Sequence, residues 1–282
     1  NISNLLRQSS INGVVAIGMT LIIITGGIDL SVGSIVGLSG MTYAILTSNR
    51  GEIQMSSGLA ILISLGIAAL IGLANGVAVH DGKVPPFIAT LGMMNLIRAL
   101  MFQTLGGRWI SGIPPACRTI GLGKWLGVPI PMWIATFLII VFSYFLSYRP
   151  LGRHIYAVGN NPEAARVSGV NLKSTIIFVY ALTGALAGFA GLINAARTGI
   201  VQTNSGMGFE LDVIAAVVLG GTSALGGRGT IIGSLLGAFL VGIIKNGMVL
   251  LNVPALSEGL VIGALIIISV LADIIRARRE TR

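Results

Sequence analysis

The chain has 282 residues, a mean hydropathy of +0.91, 54% hydrophobic residues and only 10% charged ones. Soluble domains carry about 25% charged residues, so this composition excludes an ordinary water-soluble fold and makes lipid the main solvent. A net charge of +9 does not make a nucleic-acid surface here, because the basic residues fall in loops and at the C-terminus without an aromatic-studded patch.

Apolar segments read, in chain order, at 11–25, 32–47, 57–79, 86–105, 130–147, 174–197, 211–220, 230–252 and 255–274. In lipid every backbone polar group must be paired internally, which leaves helices or a closed barrel. These runs lack two-residue alternation and exceed strand length, so the expected fold is an all-α polytopic membrane bundle of about nine segments in one domain over 1–282. The chain opens at Asn1, and a preceding segment, a tenth span, is expected to be missing from this sequence.

The first two segments are short and separated by "GGIDLS" (26–31), and Glu210 and Asp212 flank the short seventh. These three are candidates for broken or half-crossing helices. Asp29 reads either as an N-cap holding a new helix start or as a pathway residue. Glu210 and Asp212 read as caps. Many of the 40 glycines sit inside apolar runs, as in "ALTGALAGFAGL" (181–192), where small residues let helix backbones approach closely.

Alternating nine crossings puts Lys83, Arg149, Arg153, Arg166, Lys173, Arg228, Arg276, Arg278, Arg279 and Arg282 on the side of the C-terminus. The opposite side holds Arg7, Arg50, Arg108, Arg118 and Lys124. The excess of ten over five makes the C-terminal side cytoplasmic. The long external loop 106–129 carries Trp109 and Trp125, whose rings suit the headgroup level, and a docking surface is the competing reading. Cys117 has no partner for an internal disulfide, and His80 and His154 lie too far apart to point to a metal.

"LIIITGGIDLSVGSIVG" (21–37) and "AAVVLGGTSALGGRGTIIGSLLG" (215–237) share an apolar run, a Gly-Gly break and a small-residue helix. Such an echo fits either related repeats or the chance likeness of Gly-rich membrane helices.

Within the cytoplasmic loop 148–173 lies "AVGNNPEAARVSGVN" (157–171). Asn161 is a preferred N-cap, Pro162 suits the first helical position, and Glu163 opposes the positive end of the helix dipole. Gly169 after Ser168 is a natural left-handed stop. The pattern predicts a helix of about two turns, roughly 10 Å long, too short to stand alone in water. Ala164 and Ala165 offer it a small face. A capped surface turn and a docking helix both remain open on the residues alone.

Glu163, Ala164, Ala165 and Gly169, with Arg166 between, resemble the coupling loop of bacterial ABC importer permeases. "GMTLIIITGGIDLSVGSIVGLSG" (18–40), "PPFIATLGMM" (85–94), "LGRHIYAVGNNPEAARVSGVN" (151–171) and "FELDVIAAVVLGGTSALGGRGTIIGSLLGA" (209–238) are similar to the monosaccharide permease family, which includes ribose, xylose, arabinose, galactose and autoinducer-2 permeases. The resemblance implies two permease copies enclosing a pathway, a periplasmic sugar-binding protein outside, and a cytosolic ATPase, usually one chain with two nucleotide-binding halves, gripping the coupling helices. ATP and Mg are then cofactors of that ATPase and not of this chain. "GGTSALGGRG" (220–229) lacks the Lys-Ser/Thr ending of a phosphate loop and reads as tight turning.

Within the spans, Arg98 is placed to pair with an acid across helices, and Lys245 to face the bundle or a dimer partner. Asn75, Asn95, Gln103, Asn194 and Asn246 read as pathway residues for a neutral solute or as interhelical glue. Rival functions are a secondary transporter or channel, and, more remotely, an intramembrane enzyme.

Overall fold

The computed structural model describes every residue except 49–52, 255–256 and 281–282, and also leaves out the side chains of 272, 274 and 276–280. Arg50 and Arg282, the side chains of Arg276, Arg278 and Arg279, and the expected start of the last segment at 255 therefore lie outside the described residues.

The helices are α1 Ile2–Ile24, α2 Val32–Thr47, α3 Ser57–His80, α4 Pro86–Leu105, α5 Pro115–Leu122, α6 Ile130–Tyr148, α7 Pro150–Asn160, α8 Pro162–Val167, α9 Leu172–Thr198, α10 Phe209–Leu219, α11 Ile231–Leu250 and α12 Glu258–Glu280. Four two-residue strands form two antiparallel pairs: β1 Ile110–Ser111 with β4 Ile200–Val201, and β2 Lys124–Trp125 with β3 Val128–Pro129. Among the described residues, α1, α3, α4, α6, α9 and α11 are long and apolar enough to cross a membrane. The 16-residue α2, the apolar part Glu258–Leu271 of α12 and the 11-residue α10 are shorter.

The elements sort to two ends. At one end Ile24, Gly159 and Gly227 meet, Tyr156 Oη donates to the Gly229 carbonyl (2.7 Å), and Lys173 reaches Asp81 (2.8 Å). This is the end that carries α8. At the far end β1 pairs with β4, Arg7 donates to the Leu122 carbonyl (2.6 Å), and Ser48 Oγ donates to the Ser111 carbonyl (2.6 Å). Trp109 and Trp125 lie exposed there, and Trp125 packs edge-on against Trp133 at 5.0 Å.

α1 corrects the expectation of a short, broken first segment. It runs for 23 residues and is buried almost throughout, touching α6, α9, α10 and α11 as the central post of the bundle. The polar residues in its first half made it read as a stub. Two of them bond inside the fold, Arg7 to the Leu122 carbonyl and Ser10 to the Leu6 carbonyl (2.5 Å), while Ser9 Oγ and Asn12 Oδ1 are buried without a partner among the described residues.

Small residues set the helix spacing. Ala68, Gly72 and Gly76 on α3 face Ile177, Tyr180, Gly184 and Gly188 on α9. A Cβ at Gly76 would stand 2.8 Å from the Ile177 Cα, and one at Gly72 would strike the Tyr180 carbonyl. Gly66, on the same helix, has nothing within 4 Å. Gly66→Ala is therefore expected to hold or raise the melting temperature in detergent, since Ala is the better helix former by about 1 kcal/mol. Gly72→Ala is expected to lower it, with overpacking costing about 1–3 kcal/mol. Equal melting curves would contradict the close-approach role of Gly72.

Candidate functional site

Local chemistry builds α8. The Asn161 side chain accepts from the Ala164 N–H (3.0 Å), Pro162 opens the helix, and Glu163 pairs with Arg166 one turn on (2.8 Å). Gly169 closes it at φ +84°, with Gly169 N bonded to the Arg166 carbonyl and Val170 N to the Ala165 carbonyl, both at 3.0 Å. This is the glycine-capped termination expected of Gly169. The helix holds six residues, about 9 Å at 1.5 Å per residue. Ala164 and Ala165 do not share a face. Ala165 is buried inward, whereas Ala164, Glu163, Arg166 and Val167 are exposed, Val167 at 83%.

The preceding α7, absent from the sequence reading, ties α8 to the bundle. A Cβ at its Gly159 would strike the Ile24 carbonyl and stand 2.8 Å from Gly227 N. Gly227 N itself donates to that Ile24 carbonyl (2.8 Å). The end of α7, the end of the central helix and the loop 220–230 thus meet at one point. Within that loop Gly221, Gly226 and Gly227 take positive φ, the turning role expected of "GGTSALGGRG".

Just beyond Ile24 the chain breaks. Gly26 at φ +81° lets Gly26 N and Gly27 N bond back to the Ile23 and Ile22 carbonyls (2.9 and 3.0 Å). Asp29 is fully buried, but it is not the helix cap. Ser31 is the N-cap of α2, and Asp29 Oδ1 accepts from both Ser31 N (2.8 Å) and Ser31 Oγ (2.6 Å). Asn75 Nδ2 donates to Ser31 Oγ (2.8 Å), and Thr90 Oγ1 accepts from Leu30 N (3.1 Å). Side chains from α3 and α4 thereby hold the unwound segment.

A second break lies at 202–208. After β4 the chain turns into the bundle, where Ser205 and Gly206 lie against Gly33 and Gly37 of α2. Gly37 is about 15 Å from the end of α2 at Thr47, at 1.5 Å per residue. The half-length α10 starts from that depth. Its N-cap is Gly208, without a side-chain cap, so neither Glu210 nor Asp212 caps it as expected. Glu210 Oε1 accepts from Gly208 N (3.2 Å), and Asp212 pairs with Lys245 (2.7 Å), which also reaches Glu258 (3.3 Å). Lys245 thus faces the bundle. Arg98 bonds the Ser205 carbonyl (2.7 Å) in place of the acid expected across helices.

The remaining candidates are dispersed. Asn95 and Gln103 are exposed on α4, and Asn95 Nδ2 donates to the Leu91 carbonyl of its own helix (3.1 Å). Asn194 accepts from Arg197 (3.4 Å), and Asn246 is half-buried on α11.

A family model described as "Branched-chain amino acid transport system / permease component" matches residues 1–270. The chain belongs to this permease family. It is 43% identical to the ribose import permease protein of Escherichia coli K12 over 277 residues, covering 97% of this chain and 85% of that protein. The ribose import permease protein of Bacillus subtilis is 41% identical, with coverage of 97% and 84%. The autoinducer 2 import system permease protein of Photorhabdus laumondii is 36% identical over 258 residues, covering 92% and 76%. No solved structure matches. The resemblance read from residues 18–40, 85–94, 151–171 and 209–238 is borne out, and the chain is a multi-pass membrane permease.

For this permease the sequence reading missed the loop "QTNSGMG" (202–208). Its polarity and two glycines were the available signal; its partners on α2 and α4 lie more than 100 residues away in the chain. It also missed Lys173–Asp81, which pins the α8 loop to α3. The bond from Lys173, and then that from His80 (2.8 Å), holds the Asp81 carboxyl below its ordinary value. A depressed carboxyl stabilises the fold above its unfolded value, about 3.9, and loses that contribution as pH falls through the folded value. Asp81→Asn is therefore expected to melt earlier than the unaltered permease at neutral pH, with the gap closing in acid below about 3.9. A gap that persists once pH has fallen below the folded value as well would contradict an ionic role.

Proposed function

We propose that this permease is the membrane subunit of an ATP-driven importer that moves a ribose-like monosaccharide into the bacterial cytoplasm. The observation that carries the reading is α8: a capped six-residue helix with an exposed outer face, joined through Gly159 to the Ile24 carbonyl at the break in the bundle. A helix this short needs outside support, and Glu163, Arg166 and Val167 present a mixed polar and apolar ridge to a partner groove. The partner is a cytosolic ATPase with two fused nucleotide-binding halves, which carries ATP and Mg. This chain has no bond chemistry of its own to perform.

The α8 end faces the cytoplasm, as does the C-terminus. Lys83, Arg149, Arg153, Arg166, Lys173 and Arg228 gather in its loops, in line with the positive-inside rule. A periplasmic sugar-binding protein docks on the far end, over the loops that carry β1 to β4. A second permease copy covers α4. Exposed Asn95 on that helix would be costly against lipid, and a polar pathway between two copies removes the cost. Ribose is favoured over autoinducer 2 because the ribose permease relatives are 41–43% identical and the autoinducer 2 permease relatives 36–38%.

The coupling role is tested in proteoliposomes that hold the permease, its ATPase and its binding protein. Gly169→Val forces a β-branched residue into φ +84°, and Glu163→Ala removes the pair with Arg166. Each is expected to cut ATP-driven ribose uptake at least about tenfold, which corresponds to 1.4 kcal/mol of lost coupling. Unaltered uptake by both variants contradicts the assignment of α8.

A further inference from the structure

The proposed import function leaves one pair of groups unused. Arg98 on α4 and Glu210 at the start of α10 are each anchored on one side and bare on the other. Arg98 Nη1 is spent on the Ser205 carbonyl (2.7 Å), while its Nη2 is buried without a partner. Glu210 Oε1 is spent on Gly208 N (3.2 Å), while its Oε2 is buried without a partner. The two side chains interact electrostatically, yet no ion pair joins them among the described residues. Each is anchored to the loop 202–208, and the bare Gly33 of α2 leaves room both for that loop at Gly206 and for Glu210 Oε2, which lies against it.

A bare donor on a cation and a bare acceptor on an anion, both shut from water, are costly. Each unsatisfied charged group costs more than a neutral one. The pair as a whole is neutral, so a free anion or cation gains from one member and is repelled by the other. A hydroxyl answers both, because it accepts from a guanidinium and donates to a carboxylate. Two neighbouring hydroxyls answer both with more geometric latitude.

We propose that Arg98 and Glu210, with the loop 202–208, form a polyol-binding station inside the permease, where a sugar's hydroxyls are held on the way through. The station rests on the sugar-import reading above and gives the permease a share in selectivity beyond that of the binding protein. Its position fits a transit site. It lies at the start of half-helix α10, on the flank of α4 that carries exposed Asn95, the flank assigned to the second copy.

The test is a selectivity ratio measured in the full complex of permease, ATPase and binding protein in proteoliposomes. Arg98→Lys keeps a cation for the Ser205 carbonyl but loses the guanidinium fork that sets a second nitrogen apart from that bond. Glu210→Gln keeps an acceptor for Gly208 N but turns the bare acceptor into a donor. Uptake of D-ribose is compared with that of its 2-deoxy, 3-deoxy and 5-deoxy analogues, per assembled complex and with the same binding protein throughout. Both variants are expected to lower the ratio of ribose to at least one deoxy analogue by about tenfold, the scale of one charge-assisted hydrogen bond. A packing role slows every sugar alike, so ratios that match the unaltered permease for all three analogues overturn the station while leaving sugar import intact. Absence of ribose uptake by the unaltered complex overturns sugar import itself, and the station with it.

Discussion

Lipid offers no hydrogen-bond partner to an unpaired backbone group, and that constraint organises this permease. Wherever a helix stops inside the bundle, the freed N–H and C=O groups must find protein. Among the described residues α1 and α10, and the exposed α8 as well, end with the same device, in which a glycine at positive φ folds two N–H groups back onto the last turn. In α1 it is Gly26 at +81°, in α10 Gly221 at +87°, in α8 Gly169 at +84°. The second bond of each motif runs from Gly27 to Ile22, from Thr222 to Val217, and from Val170 to Ala165. The shared plan of 21–37 and 215–237 is thus a shared backbone geometry at the Gly-Gly step, after which the two connections differ in length.

The breaks also concentrate the polar chemistry. Asp29, Ser31, Asn75 and Thr90 hold the first, and Arg98, Glu210 and the Asp212–Lys245–Glu258 group surround the second. Both breaks lean on α2, whose Gly33 and Gly37 receive the loop of the second and whose N-cap Ser31 belongs to the first. One short helix therefore touches both irregular segments. It also meets α9 closely, where Gly191 stands against Val36. Contacts lead from α8 to this helix in few steps: α7 to Gly159, Gly159 to Ile24, and the turn at Gly26 to Ser31.

Features governed by neighbours in the chain were legible in the sequence. The bounds of α2 and α4 agree with the apolar runs 32–47 and 86–105, and the Asn161 cap and Gly169 stop follow from side-chain and φ preferences alone. Features governed by distant partners were not. The first half of α1 reads as polar until Leu122 is seen to receive Arg7. Asp29, Glu210 and Asp212 look like caps because acids commonly cap, yet their actual partners are Ser31, Gly208 and Lys245. The amphipathic α7 was hidden in a loop too short to show a clear period. The loop 202–208 is polar enough to be taken for surface, and only its contacts with Gly33, Gly37 and Arg98 put it inside.

Backbone hydrogen exchange, measured on the assembled transporter with the ATPase alternately nucleotide-free and ATP-bound, reaches the central claim most directly. If α8 drives the bundle through Gly159 and Ile24, amides at 25–31 and 202–208 change their exchange together with those at 157–171 when ATP binds. A change confined to 157–171, with both breaks unaltered, contradicts that linkage.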